Sequence, residues 1–247
     1  MRNLIKDRDF DGAMKIEKDC GVRRGLISIK AIAMSFVMTV VMSLVLVFVP
    51  EIPSNAVGEK AVTVLETLAV KGRAAKTGYS RAQFGQAWAD VNRNGCDTRN
   101  DILKRDLTNT VFKSGTRDCK VIGGTLLDPY SGKSINFVVS SSPIIDIDHV
   151  VALSNAWQTG AFGLSVEVRT ALANDPLNLL AVDAKLNRQK GDGDAATWLP
   201  PLKSYRCEYV ARQIAVKAKY KLWVTSPEKN QMVSILSKCP DQVLPAN

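Results

Sequence analysis

A nearly unbroken apolar run at residues 31–49 is the feature that most constrains how this chain can fold. Basic residues precede it, namely Arg23, Arg24 and Lys30. Small residues follow at 54–56, where a signal peptidase would cut, yet the run of about 19 residues is also long enough to span a bilayer. A cleaved signal peptide and a retained membrane anchor therefore both stay open for residues 1–56. In either case the positive flank predicts that the rest of the chain lies outside the cytoplasm.

The remaining residues, 57–247, have the length of one ordinary domain with a substantial core. They contain four cysteines: Cys96, Cys119, Cys207 and Cys239. An even number of cysteines in an exported segment favours two disulfides, for which three pairings are possible. We favour the pairs 96–119 and 207–239, because each closes a modest loop within one region. A zinc site is disfavoured, since no Cys-x-x-Cys pair occurs and the one histidine lies far away.

The charge of the exported part is basic. The whole chain has 33 Lys and Arg against 24 Asp and Glu, and the residues after 56 retain about +7 of its net charge. A positive field of this kind suits a polyanionic partner, because neutralised phosphates release their counterions. A solvated basic surface without such a partner would have the same composition.

The hydrophobic periodicity predicts an α+β fold in a single domain. Helices are predicted at residues 59–71, 81–89, 152–158, 166–173, 183–190, 205–223 and 227–237, with another helix following the loop that begins at residue 96. Strands are predicted at residues 120–127, 134–140, 144–149 and 177–182. Asp183 is the expected N-cap of the helix that follows the last strand.

The only histidine of the chain lies in the sequence Ile-Ile-Asp-Ile-Asp-His-Val-Val at residues 144–151. Asp148 precedes His149 at the end of a predicted strand, and two asparagines, Asn178 and Asn187, follow further along. Hydrolysis of a phosphodiester needs an activated water and neutralisation of charge, which a neutral histidine and a divalent cation supply. A lone histidine beside an apolar strand is more often structural, but the ordered Asp-His, Asn, Asn context favours catalysis.

Taken together, these motifs resemble the ββα-metal active site of HNH endonucleases. The nearest resemblance is to secreted bacterial HNH proteins and to the C-terminal nuclease domain of GmrSD-type restriction enzymes. It also includes Asp-Pro-Tyr-Ser-Gly at residues 128–132 and Trp-Leu-Pro-Pro at residues 198–201, and covers most of residues 79–239. The resemblance implies a ββα-metal (His-Me finger) core over about residues 134–191, embedded in a mostly helical domain.

The resemblance implies a role for each motif residue. His149 would be the general base, Asp148 and Asn187 would bind one metal ion, and Asn178 would brace the loop that carries the base or simply cap a turn. Many relatives have histidine at the position of Asn187, so the ligand set here is richer in oxygen. Mg2+ is the expected ion, with Mn2+ or Ca2+ as alternatives. Asp146 is either a further ligand, a support for one, or merely exposed.

Three basic residues are the predicted substrate contacts. Arg188 and Lys190 follow Asn187 on the same helix and are expected to bind phosphates beside the metal. Arg99 is expected either to bind phosphate or to pair with Asp97 or Asp101, and the pairing is slightly favoured.

Residues 90–101 imitate a calcium-binding EF-hand loop, with Asp, Asn and Asn at alternate positions and Gly at the sixth. Asp101 rather than Glu at the twelfth position, Arg93 within the loop and a bonded Cys96 argue against it. We expect an Asn/Gly turn instead. The four tryptophans, at positions 88, 157, 198 and 223, are expected to pack in the core rather than to stack on bases.

The sequence therefore predicts an extracytoplasmic, metal-dependent HNH endonuclease that cuts nucleic acid, with DNA favoured over RNA. Little sequence specificity is expected, because no helix-turn-helix, zinc finger or repeat array is evident. No protein partner is implied, and a membrane would be involved only through residues 1–56. The alternative is a non-catalytic, envelope-anchored protein that binds polyanions on the same scaffold.

Overall fold

The computed structural model describes residues 58–140 and 142–245, which belong to the unit spanning Pro53–Asn247. The predicted signal peptide or anchor at residues 1–56 lies outside the described residues. Among the residues that are described, no helix has the length and apolar character needed to cross a bilayer.

The described chain is a mixed α+β structure, as predicted. Its α-helices are α1 (Ala61–Thr67), α2 (Thr98–Asp106), α3 (Leu153–Gln158), α4 (Val166–Ala173), α5 (Ala184–Lys190), α6 (Arg206–Lys219) and α7 (Ser226–Leu236). Its strands are β1 (Leu107–Phe112), β2 (Val121–Leu127), β3 (Ser134–Val138), β4 (Ile145–His149) and β5 (Leu179–Asp183). Short 3-10 helices occur at Arg81–Phe84, Ala161–Gly163 and Lys203–Tyr205.

The strands form two separate antiparallel sheets. Within the described residues, β1, β2 and β3 make a three-stranded meander, whereas β4 pairs with β5 alone. His149 lies opposite Leu179, and Ile145 lies opposite Asp183. The strands of the two sheets also differ in how far their side chains are buried. β3 alternates between exposed and covered side chains, as a sheet with one solvated face requires, while β4 and β5 are covered on both faces.

A β-β-α unit is formed by β4, β5 and α5, so it spans residues 145–190. The core expected over about residues 134–191 also included β3, which pairs with β2 in the other sheet. α3 and α4 lie between the two strands of the unit. α5 begins directly after β5, where the side chain of Asp183 accepts a hydrogen bond from the backbone N–H of Leu186, as expected for an N-cap.

The core that supports this unit has three clusters of buried residues. In one cluster, Ile102 and Leu103 of α2 pack with Ile145 of β4 and Leu179 of β5. The other two clusters are built around α6, which contributes residues to both. The β4–β5 pair is therefore held between α2 and the C-terminal helices.

The expected pairing of the cysteines is confirmed. Disulfides join Cys96 to Cys119 and Cys207 to Cys239, and the second links the start of α6 to the residues after α7. With all four cysteines bonded, a cysteine zinc site is excluded in the described residues.

The helix predicted at residues 81–89 was wrong, because the chain forms only a 3-10 helix over Arg81–Phe84. Gly85 ends it with a φ of 71°, and a Cβ at that position would collide with the side chain of Thr170. Trp88, with a φ of 58°, therefore lies outside any helix rather than on the predicted one.

Residues 90–95 form the expected Asn/Gly turn. The carboxylate of Asp90 accepts hydrogen bonds from the backbone N–H groups of Asn94 and Gly95. Asp101 accepts bonds from the side-chain amides of Asn92 and Asn94. Both carboxylates are thus satisfied by the loop itself.

We predict that replacing Cys207 and Cys239 together by alanine lowers the free energy of unfolding by about 3–4 kcal/mol. The disulfide closes a loop with a sequence separation of 32 residues, and its loss returns that entropy to the unfolded chain. Urea denaturation of the purified protein measures the change. An unfolding free energy equal to that of the parent would contradict it.

Candidate active site

A cleft of about 610 Å³ lies at the C-terminal end of β4. Its polar lining comes from distant parts of the chain: Lys76, Tyr79, Arg81, Arg99, Asp146, Asp148, His149, Ser154, Asn187 and Asp192. Of the predicted site residues, the structure thus brings together His149, Asp148, Asn187 and Arg99 in one cleft. Arg188, Lys190 and Asn178 are not part of this lining.

His149 lies at the edge of the cleft with only 7% of its surface exposed. Its Nε2 is 2.8 Å from the backbone carbonyl oxygen of Ala173. Because a carbonyl oxygen only accepts hydrogen bonds, Nε2 carries the proton, and the neutral ring has a free lone pair on Nδ1. Burial lowers the pKa of His149 to about 3, with the charges of Arg81 and Lys190 acting in the same direction. The ring is therefore neutral near pH 7 and can accept a proton at one defined atom.

Asn178 is fully buried and braces the segment that follows His149. Its Oδ1 accepts a hydrogen bond from the backbone N–H of Val151 at 2.8 Å. Its Nδ2 donates to the backbone oxygens of Val151 and Leu172. The side chain thus ties the residues after β4 to α4, which also supplies the Ala173 carbonyl that His149 contacts.

Two buried groups donate hydrogen bonds to the carboxylate of Asp148. The Tyr130 hydroxyl donates to Oδ2, and the Lys190 ammonium donates to Oδ1 at 2.9 Å. Burial raises the pKa of the Asp148 carboxyl above its usual value, and the positive charge of Lys190 opposes that shift. Each oxygen retains further lone pairs, and the carboxylate lines the cleft.

The predicted phosphate contact of Lys190 was wrong. The side chain of Lys190 is 0% exposed, and its ammonium also donates to the backbone oxygen of His149 at 2.8 Å. As the last residue of α5, it turns inward beneath β4 and has no access to a substrate. Arg188 has the opposite orientation: its side chain is 64% exposed, with its guanidinium 3.9 Å from Asp146.

Asn187 and Asp146 are adjacent on the same wall of the cleft. The Nδ2 of Asn187 donates to the Oδ2 of Asp146 at 3.3 Å. Together with Asp148 they offer two carboxylates and one amide, which are hard oxygen donors. Within residues 58–140 and 142–245, no three His, Cys, Asp or Glu side chains converge to hold a metal ion. Carboxylate and amide oxygens are the donors that hard cations take, whereas a structural zinc site needs nitrogen or sulfur ligands.

The slightly favoured pairing of Arg99 with Asp97 or Asp101 was wrong. Asp97 is the N-cap of α2, and its carboxylate accepts from both the backbone and side-chain nitrogens of Asn100. Asp101 is engaged by the amides of the preceding loop. Arg99 instead lines the cleft.

Several cleft residues were missed by the sequence analysis. Lys76 forms an ion pair with Asp192 at 3.0 Å, and Arg81 lines the cleft beside His149. Trp88, which was assigned to packing, is half-buried and stacks towards the His149 ring with centroids 6.1 Å apart and planes 20° apart. An exposed cation or a tryptophan in an irregular segment has no local signature, so only the tertiary structure reveals these contacts.

Comparisons with known proteins show the family to which the chain belongs. The family model described as GmrSD restriction endonucleases, C-terminal domain, matches residues 97–235, which include β4, β5 and α5. A protein from Arthroderma benhamiae, described as an uncharacterized secreted protein, is 38% identical over 192 residues. That alignment covers 77% of this chain and 88% of the relative. No solved structure matches the chain. The chain therefore belongs to the family of the C-terminal domain of GmrSD restriction endonucleases.

Proposed function

We propose that this protein is an extracytoplasmic, divalent-metal-dependent endonuclease of the HNH type, which hydrolyses phosphodiester bonds in DNA with little sequence specificity. One observation carries the proposal. A neutral histidine with a free Nδ1 shares a cleft with two carboxylates and an amide, those of Asp146, Asp148 and Asn187. Membership of a restriction endonuclease family supports the same reaction class.

His149 is the proposed general base, which takes a proton from the attacking water at Nδ1. The bond from Nε2 to the Ala173 carbonyl holds the ring in the required tautomer and stabilises the imidazolium formed by proton transfer. A pKa of about 3 makes the histidine a weak base in the free protein. An anionic phosphate in the cleft favours the charged ring and therefore opposes the effect of burial on that pKa. Asn178 maintains the backbone that positions the ring.

Asp148 and Asn187 are the proposed ligands of one cation, Mg2+ by preference, with Asp146 next to them. Such an ion, when bound, stabilises charge on the phosphoryl oxygens and on the leaving 3′ oxygen. Tyr130 and Lys190 hold the Asp148 carboxylate in one orientation, because their donors occupy one lone pair on each oxygen. On this proposal, β4, β5 and α5 are the two strands and the helix of a ββα-metal core.

The proposed location and substrate rest on general features of the chain. Two disulfides are typical of an oxidising compartment, and the Arthroderma relative is described as secreted. Residues 1–56 would direct export, as a cleaved signal or a retained anchor. The basic charge suits a nucleic acid, and the exposed guanidinium of Arg188 at the rim is available to its phosphates.

We predict that His149→Ala reduces the rate of plasmid cleavage by about 10²- to 10⁴-fold in Mg2+, because the base that activates water is lost. EDTA is expected to abolish cleavage by the parent. Gel analysis of supercoiled plasmid measures both effects, with protein from a nuclease-free host. Circular dichroism of the variant checks that the fold survives loss of a buried ring.

Two results would contradict this proposal in different ways. Cleavage by His149→Ala at the parental rate would show that another group activates the water. DNA binding by the parent without turnover in Mg2+, Mn2+ or Ca2+ would favour the non-catalytic polyanion-binding protein instead.

We further predict that Asn187→Ala weakens binding of Mn2+ at least about tenfold, because a site with so few protein ligands depends on each of them. Isothermal titration with Mn2+ alone measures the affinity. Asn230→Ala is the matched control, since Asn230 is an exposed asparagine outside the residues that line the cleft. Equal affinities for the parent and the Asn187 variant would remove Asn187 from the ligand set.

A further inference from the structure

Two arginines in the cleft, Arg81 and Arg99, differ from its other charged residues in their contacts. Among residues 58–140 and 142–245, the guanidinium groups of Arg81 and Arg99 make no hydrogen bond or ion pair. Lys76, the third cation of the lining, differs because it is engaged by Asp192. These two guanidinium groups lie in a cleft with carboxylates but do not contact them. Their donors are therefore available to an anion from outside the protein.

Arg81 is carried by a firmly anchored element. Phe84, at the other end of its 3-10 helix, is buried against Trp157, with ring centroids 6.4 Å apart. The buried side chain of Arg169 donates to the backbone oxygen of Gln83 at 2.6 Å. The helix is thus fixed from beneath while Arg81 itself remains exposed.

The position of Arg81 is close to the proposed chemistry. Arg81 and His149 line the main cleft and also share a small pocket of about 40 Å³ beside it, together with Trp88. Arg99 reaches the same cleft from α2. The cleft therefore combines carboxylates that suit a cation with arginines that suit an anion.

We propose that Arg81, together with Arg99, forms a phosphate-binding site that holds a phosphate of the nucleic acid strand next to the bond being cut. This inference rests on the proposed function and adds a substrate contact beside His149, which the buried Lys190 does not supply. Arg81 precedes residues 97–235, so the main contact comes from a segment outside the part of the chain that matches the family. Guanidinium groups suit this role because they bind phosphate oxygens through two parallel hydrogen bonds.

The test is binding of a fluorescein-labelled 20-base-pair DNA duplex in EDTA, followed by fluorescence anisotropy between 50 and 300 mM KCl. We expect Arg81→Gln to weaken binding roughly tenfold and to reduce the slope of log K against log salt by about 0.9, the value for one lost phosphate contact. Arg81→Gln combined with Arg99→Gln is expected to reduce the slope by about twice as much. Arg81→Lys should recover part of the slope, since it restores the charge without the two-pronged geometry.

Arg93→Gln is the matched control, because Arg93 is an exposed arginine outside the residues that line the cleft. It removes the same charge and should leave affinity and slope near the parental values. Equal affinities for the parent and Arg81→Gln, including no measurable binding by either, would overturn the site. A loss with Arg93→Gln as large as that with Arg81→Gln would also overturn it, since only overall charge would then matter.

This assay is independent of turnover, because it contains no metal ion. Loss of binding by Arg81→Gln with no cleavage by the parent would retain the phosphate site and refute the endonuclease proposal. Cleavage by the parent with unchanged binding by Arg81→Gln would refute the phosphate site alone. A thermal unfolding scan verifies that the exposed substitution leaves stability unchanged.

Discussion

The buried ion pair between Asp148 and Lys190 fixes the geometry on which the cleft depends. Removing two charges from water costs several kcal/mol for each ion, and the cost is met only where partners are close and well oriented. Here the ammonium contacts both the Asp148 carboxylate and the His149 carbonyl, while Tyr130 donates to the other carboxylate oxygen. The pair therefore locks the end of α5 beneath the end of β4. Asn187, one turn earlier on α5, is brought to the cleft by the same contact.

The other half of the cleft is determined by polar contacts to His149 and its neighbours. The ring is oriented by the Ala173 carbonyl at the end of α4, and Asn178 joins the following backbone to the same helix. Both contacts are buried, so their geometry is protected from competition with water. Arg81 then approaches from a 3-10 helix whose hydrophobic anchor lies in the core around α4. Elements far apart in sequence thus meet around the ring of His149.

Local rules predicted the parts of this structure that local chemistry decides. The N-cap at Asp183, the extent of α4 and the two disulfides follow from cap residues, periodicity and cysteine spacing. Long-range pairing decided the rest. Lys190 was predicted to contact phosphate, because nothing near it in sequence indicates that its ammonium contacts the buried carboxylate of Asp148. The helix predicted through Gly85 failed since a close approach by α4 requires a glycine there, and Arg81 has no sequence signal that separates it from any exposed arginine.

The central claim is that Asp148 and Asn187 converge on one cation beside the free nitrogen of His149. Crystals grown with Mn2+ and measured at the manganese absorption edge test it directly. The account predicts one anomalous peak in the cleft, with oxygens of both side chains at about 2.1 Å, the distance for a small octahedral cation. An empty cleft at saturating Mn2+, or a peak bound by neither residue, would contradict it.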